Sequence, residues 1–287
     1  MRVALVALVV LLAGCPAFGG AQQSTTTLTP VAVPEVPEYP PGVGPTGVRY
    51  PAELAGAHSA VVENTSYTIV SNRTITARDG EVRSLLSVRI RLAENRSYLV
   101  SARTGGPDGP LFLGRPPSAA SYWSNGSVYL RALPGPDGPI LNRFTPPNAF
   151  VGTWRYWRST VAFGGEDGYD FQTFLGLFGA IPTDLAAVET VDGTETFRVV
   201  GTESLDPGFA KAGSGPVTNV SLSATITERG VVRGFDLRYD RRVDGRPARV
   251  RWSLRYENVG STTVGGPPWP GALSAQEGST TSTATSS

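Results

Sequence analysis

The chain has 287 residues, 40% of them hydrophobic and 17% charged, and a formal net charge of +1. That length admits one large or two small domains, and the apolar content can fill a core, although the charged share lies below the ~25% usual for soluble domains. The near-neutral balance excludes a global field that would draw in nucleic acid or an anionic surface, and with one histidine and one cysteine there is no Cys/His metal spacing.

Arg2 precedes an apolar run, Val3 to Ala13, of signal-peptide length and short for a membrane span. The run closes on Leu12-Ala13-Gly14-Cys15, and Cys15 is the only cysteine. These four residues resemble the lipobox of prolipoproteins. The resemblance implies a signal peptide over residues 1–14 and a lipidated Cys15 as membrane anchor, on the outer face of the cytoplasmic membrane. An ordinary secretory signal cut after Ala21, or an uncleaved anchor, is the alternative. With Cys15 as anchor no disulfide forms within the chain, so stability rests on the core.

Residues 15–50 are rich in Ser, Thr, Pro and Gly and read as a disordered stalk. Pro51 suits a helix start, and Glu53 complements its positive end. Leu54, Ala57, His58, Val61 and Val62 then keep the rhythm of an amphipathic helix ending near Asn64. Alternation predicts strands over 66–76, 82–92, 97–103, 120–124, 127–133 and 140–145, with turns at Arg78-Asp79-Gly80 and Ser124-Asn125-Gly126. Trp154, Tyr156 and Trp157 form an aromatic knot. Asp170 caps a short helix whose Phe171, Phe174, Leu175 and Phe178 make a narrow apolar stripe, stopped by Gly179 and Pro182. A second short helix is expected over Asp184–Val188, and a strand over 196–202.

The clearest pattern is a three-stranded meander from Val217 to Asn258. Its strands set Val220, Leu222, Ala224 and Ile226, then Phe235, Leu237 and Tyr239, then Val250, Trp252, Leu254 and Tyr256, on one parity. Val243-Asp244-Gly245-Arg246 holds the Asp-Gly of a tight hairpin. A sheet with one apolar face must cover it. The β domain is expected over 51–266, with a disordered Ser/Thr-rich tail over 267–287.

No nucleophile motif, cofactor-binding loop or metal site stands out, so no catalytic residue and no cofactor are expected. His58, the only histidine, has no visible partner in the sequence and reads as a packing or surface residue rather than a ligand. Glu166, Asp167 and Asp170 miss the EF-hand spacing and read as a solvated loop. The arginines at 238, 241, 242, 246, 249, 251 and 255 interleave with Asp236, Asp240, Asp244 and Glu257, which favours cross-strand pairing over a polyanion patch. Five sequons, at Asn64, Asn72, Asn95, Asn125 and Asn219, are glycosylation candidates. The phenylalanine stripe has two readings: a filled core, or a hollow wide enough for an acyl chain.

The order of elements (lipobox, stalk, a helix bearing Ala57-His58, strands opening at Ser66-Tyr67-Thr68, a helical insertion and a closing meander) resembles the lipoprotein-carrier fold of the LolA and LprG type. It is similar in particular to a family of archaeal surface lipoproteins of unknown function. The resemblance implies an α+β fold, mainly antiparallel β: a curved half-barrel sheet with covering helices around a lipid-binding hollow. Leu54, Val61, Phe171, Phe174, Leu175, Phe178, Trp252 and Tyr256 would face that hollow. The implied role is an exported, membrane-anchored monomer that binds a hydrophobic or amphipathic ligand such as a lipid, without catalysis and without nucleic acid. The rival reading is a structural or adhesive surface module with a solid core that meets envelope or partner proteins.

Overall fold

Alternation of apolar and polar side chains becomes strand throughout the computed structural model, which describes residues 38–148, 150–163, 170–191, 193–204 and 217–269. A short ribbon, β1 (Val43–Gly44) and β2 (Gly47–Val48), precedes α1 (Pro51–Val62). Six strands follow: β3 (Tyr67–Ala77), β4 (Val82–Leu92), β5 (Tyr98–Gly105), β6 (Ser118–Ser124), β7 (Tyr129–Leu133) and β8 (Ile140–Arg143). The aromatic knot is helical, with α2 (Trp154–Tyr156) running into a π-helix over Trp157–Ala162. Then come α3 (Asp170–Ala180), β9 (Asp184–Val191), β10 (Thr194–Gly201), β11 (Thr218–Thr227), β12 (Val232–Val243) and β13 (Arg246–Glu257).

β3 to β13 form one antiparallel sheet in the order β8-β7-β6-β5-β4-β3-β13-β12-β11-β10-β9. An open sheet of this width curls rather than lying flat. Its two edges, β8 and β9, are consecutive in sequence, so the connection between them has to travel from one edge to the other. Its described helices pack on a single face. Ser71 Oγ of β3 donates to the Ala162 carbonyl at 2.8 Å, and the Phe174 ring of α3 meets Phe235 of β12 at 6.3 Å. The same face receives α1, whose Leu54, Ala55, His58 and Val62 are buried. Arg96 donates to the carbonyls of Glu63 and Thr65, placing a cation at the negative end of α1.

The opposite, outward face has a cover of its own. The segment after β13 is tied down by Arg91 Nη2 donating to Thr263 O at 2.7 Å and Trp123 Nε1 donating to Gly265 O at 2.8 Å. Val264 and Trp269 pack there on Trp123 and Leu130. Trp269 packs within the stretch 267–287 that the sequence reads as a tail. Residues 270–287 lie outside the described residues.

Two local expectations are corrected. Residues 38–50, expected as the end of a disordered stalk, are packed: Val43 is buried, Tyr39 and Val48 pack on the core, and Val48 N–H donates to Thr183 Oγ1 at 2.9 Å. A few apolar residues among the prolines convert the end of the expected stalk into a strap. Asp184–Val188, expected as helix, is instead part of β9, with Leu185 opposite Val199 and Val188 opposite Phe197. Its two alanines favour helix only weakly, and the unpaired edge of β10 offers a ladder of backbone hydrogen bonds. The hairpin between β12 and β13 follows the sequence reading: Asp244 and Gly245 have φ of 48° and 75°, the signs a type I′ turn requires.

Candidate functional site

The β3–β13 ladder organises the inward face. Its register sets Tyr256 beside Ile69, Leu254 beside Ser71, Trp252 beside Arg73, Val250 beside Ile75 and Ala248 beside Ala77. The helices cover the Tyr256 end. A helix of 11 or 12 residues reaches about 17–18 Å, whereas strands of similar length reach about 36–40 Å. Such helices cannot roof the whole face.

Under the helices the face is closed. Phe174 is fully buried, with its ring 4.6 Å from His58, 5.8 Å from Phe163 and 6.2 Å from Phe178. Tyr256 meets His58 at 4.9 Å and Tyr67 at 5.4 Å. A polar cluster sits inside this packing. Arg158 of the π-helix, 7% exposed, donates to Asp170 Oδ2 at the start of α3, and Asp170 is 2% exposed. His58 of α1 accepts the Val232 N–H on Nδ1 at 3.1 Å, which leaves its proton on Nε2, 3.4 Å from the same carboxylate oxygen. That approach lacks the alignment of a hydrogen bond; among the described residues His58 Nε2 and the Tyr67 and Tyr256 hydroxyls have no well-aligned partner. The Arg158 guanidinium lies 5.7 Å over the Tyr67 ring.

Burial decides the titration of this cluster. It lowers the His58 pKa, against the opposing pull of Asp170. Burial also works against the Asp170 charge, but His58 and the Arg158 cation outweigh it and hold its pKa down to about 2. Burial likewise opposes the Arg158 charge, and Tyr67, Tyr256 and Asp170 more than compensate, so the group stays cationic. Burial raises the pKa of both tyrosines. The result is a neutral imidazole beside a closed ion pair, sealed from solvent.

The sign of the pH dependence follows. Below pH 6.5 the unfolded chain protonates His58 while the folded chain does not, so stability falls with pH until the depressed folded pKa is reached. The slope for one proton is at most about 1.4 kcal/mol per pH unit. His58→Gln, measured by urea unfolding at pH 7.5 and 5.0, is expected to flatten this limb. The Asp170 contribution, lost only as pH drops from 3.8 toward about 2, should remain. An unchanged slope would mean that His58 titrates freely in the fold.

Beyond the helices, the half-buried Trp252 marks a boundary. Its Nε1 donates to Ser71 Oγ at 3.2 Å, its ring meets Phe235 at 4.9 Å, and the Arg73 guanidinium lies 5.8 Å over it. Past this stack the inward face opens into a cleft of about 790 Å³. Its apolar lining is Ile75, Ala77, Val243, Pro247 and Ala248, and its rim carries Arg78, Asp79, Glu81, Arg83, Asp108, Asp244 and Arg246. Arg83 is committed to Asp108 at 2.7 Å and to Glu81 at 3.3 Å.

Of the residues expected to face a hollow, Leu54, Phe174, Phe178 and Tyr256 lie in the closed core, at 3% exposure or less. Val61, Phe171, Leu175 and Trp252 are half-buried against it. None of the eight lines the 790 Å³ cleft. Small residues at the hairpin ends, Ala77 and Ala248, were the available signal, together with helices too short for the strands beneath them. Glu166 and Asp167 lie outside the described residues, while Asp170 is engaged by Arg158 rather than by solvent. Among the described residues no helix is long and apolar enough to cross a membrane.

Comparison with solved structures finds LprF from Mycobacterium bovis, at 9% identity and a TM-score of 0.39, covering 79% of this chain and 100% of that one. A LolA superfamily protein from Nitrosomonas europaea matches at 9% identity and 0.24, covering 74% and 93%. A DUF1329 family protein from Desulfovibrio piger matches at 12% and 0.23, covering 76% and 93%. At such identities and scores the likeness assigns neither ligand nor activity to this chain. No curated protein matches it. A family model described as a family of unknown function spans residues 1–271.

Proposed function

Because the chain belongs to that family, DUF7537, its role has to be read from its own residues, and we propose that it binds an apolar or amphipathic ligand, a lipid, in the helix-free cleft and without catalysis. The observation that carries this reading is the apolar floor left open where the helices stop, ringed by charged side chains. About 790 Å³ falls within the roughly 300–1,000 Å³ of small-molecule sites. An apolar chain would lie on Ile75, Ala77 and Ala248, with its polar end among the rim charges. The sealed His58, its Nδ1 engaged by Val232, supports binding over chemistry.

In this reading the lipobox-like Cys15, which lies outside the described residues, tethers an exported monomer to the outer face of the membrane. The five sequon asparagines are all exposed, which suits glycan attachment in that location. An intact mass of the native protein equal to that of the bare polypeptide would remove both modifications.

The alternative, an adhesive module that meets envelope or partner proteins, draws on the filled core around Phe174. Titrating the full chain with a fluorescent dodecanoyl probe separates the two. Binding is expected, and Ala77→Trp, which fills the cleft, and Ile75→Asp, which charges its floor, should each weaken it about tenfold with folding intact by thermal melt. A wild-type chain that takes up no probe, or variants that bind it as well as wild type, would leave the adhesive reading.

A further inference from the structure

The outward face of the β12–β13–β3 ladder carries more arginine than its carboxylates can neutralise. Three ion pairs form there: Arg249 with Asp240 at 2.8 Å, Arg89 with Glu257 at 2.7 Å, and Arg255 with Asp236. Arg238 and Arg251 are left over. They are direct cross-strand partners, both exposed, and neither forms an ion pair among the described residues. Like charges set opposite each other on a sheet destabilise it, so this pair is a cost to the fold that an anion would relieve.

Beside Arg251 the same face holds a shallow pocket of about 510 Å³, lined by Thr76, Arg78, Asp240, Arg249 and Arg251 among others. Its one carboxylate is already spent. Asp240 accepts from Arg249 Nε and Nη2 at 2.8 and 3.1 Å and from Asn219 Nδ2 at 2.9 Å. The pocket therefore keeps the Arg251 guanidinium, with Arg238 next to it, the Thr76 hydroxyl in its wall and Arg78 at the border it shares with the apolar cleft. Planar guanidinium forks match tetrahedral oxyanions through paired N–H donors.

We propose that this pocket binds a phosphate- or sulfate-type oxyanion. The site differs from the lipid cleft in Arg251 and Arg238, which do not line that cleft; the two meet at the hairpin end, where Ala77, Arg78, Pro247 and Ala248 border both. The oxyanion is either a free ion or the head of an anionic lipid.

Calorimetric titration of the full chain with inorganic phosphate at low ionic strength tests the site, alongside flotation with phosphatidylglycerol vesicles and with pure phosphatidylcholine vesicles. Phosphate is expected to bind, with Arg238→Gln/Arg251→Gln weakening it about tenfold or more. Arg103→Gln, an exposed outward-face arginine of β5, should leave it unchanged. Capture on phosphatidylglycerol vesicles that phosphate reverses identifies a lipid head, and phosphate binding without vesicle capture identifies a free ion. Phosphate should also raise the melting temperature of wild type more than that of the double variant. Equal phosphate affinity in wild type and double variant, or no binding of either probe by wild type, overturns the proposal. Uptake of the dodecanoyl probe by the double variant should match wild type, so the two readings fail separately.

Discussion

Replacing Arg158 by alanine is expected to cost about 3–5 kcal/mol of folding stability, because it leaves the Asp170 carboxylate buried without its cation. His58 cannot take over. Its Nδ1 is committed to the Val232 N–H, and the approach of Nε2 to the carboxylate is long and poorly aligned. The stranded carboxylate will escape by holding a proton, so its pKa should rise and the loss should shrink as pH is lowered toward 4. The double change Arg158→Met/Asp170→Leu removes both charges and keeps much of the volume. It should recover most of the stability, short of the few tenths to about 1 kcal/mol that an acid contributes at the start of α3. Urea unfolding of the three chains at pH 7 measures this. A single variant within about 1 kcal/mol of wild type would mean that the pair is solvated in solution.

Phe174→Ala should cost a comparable 3–5 kcal/mol, roughly the penalty for emptying a fully buried aromatic site. The ring touches His58 on α1, Phe163 behind the π-helix, Phe178 on its own helix and Phe235 on β12, so its removal unlocks both helices from the sheet at once. Leu175→Ala, at a half-buried position, should cost less than half as much. Neither change lies in the cleft, and affinity for the dodecanoyl probe should stay within about twofold of wild type. If Phe174→Ala were mild and instead changed probe binding, the ligand would lie under the helices, where the phenylalanine stripe first suggested.

The contrast between these sites shows where patterning in the chain stops being informative. Period-2 runs foretold β4 to the residue, Val82–Leu92, and the parity that turns Trp252, Leu254 and Tyr256 inward. The 3.6-residue stripe foretold α3, but only Phe174 and Phe178 of it are buried; the buried face turns toward Asp170 and Leu177 and leaves Phe171 and Leu175 half-buried. Periodicity reports only whether a side chain points in or out. It does not say which inward residues meet, and Phe174 looks the same in sequence whether it faces a ligand or a tyrosine. His58 shows the same limit. Its carboxylate and cation, Asp170 and Arg158, come from two other segments, and no local spacing links the three.

The sequence alone determined the local states: two amphipathic helices, the run of strands, the Asp244-Gly245 hairpin and the apolar parity of the meander, all set by side-chain sterics and hydrophobic period within a few neighbouring residues. Only the tertiary structure decided that Asp184–Val191 is an edge strand, that residues 38–50 fold back as a strap, that the helices close one end of the inward face and that Arg238 stands opposite Arg251. Those outcomes depend on contacts between residues far apart in the chain, whose free energy is gained only when the whole sheet has curled and its two edges have been bridged.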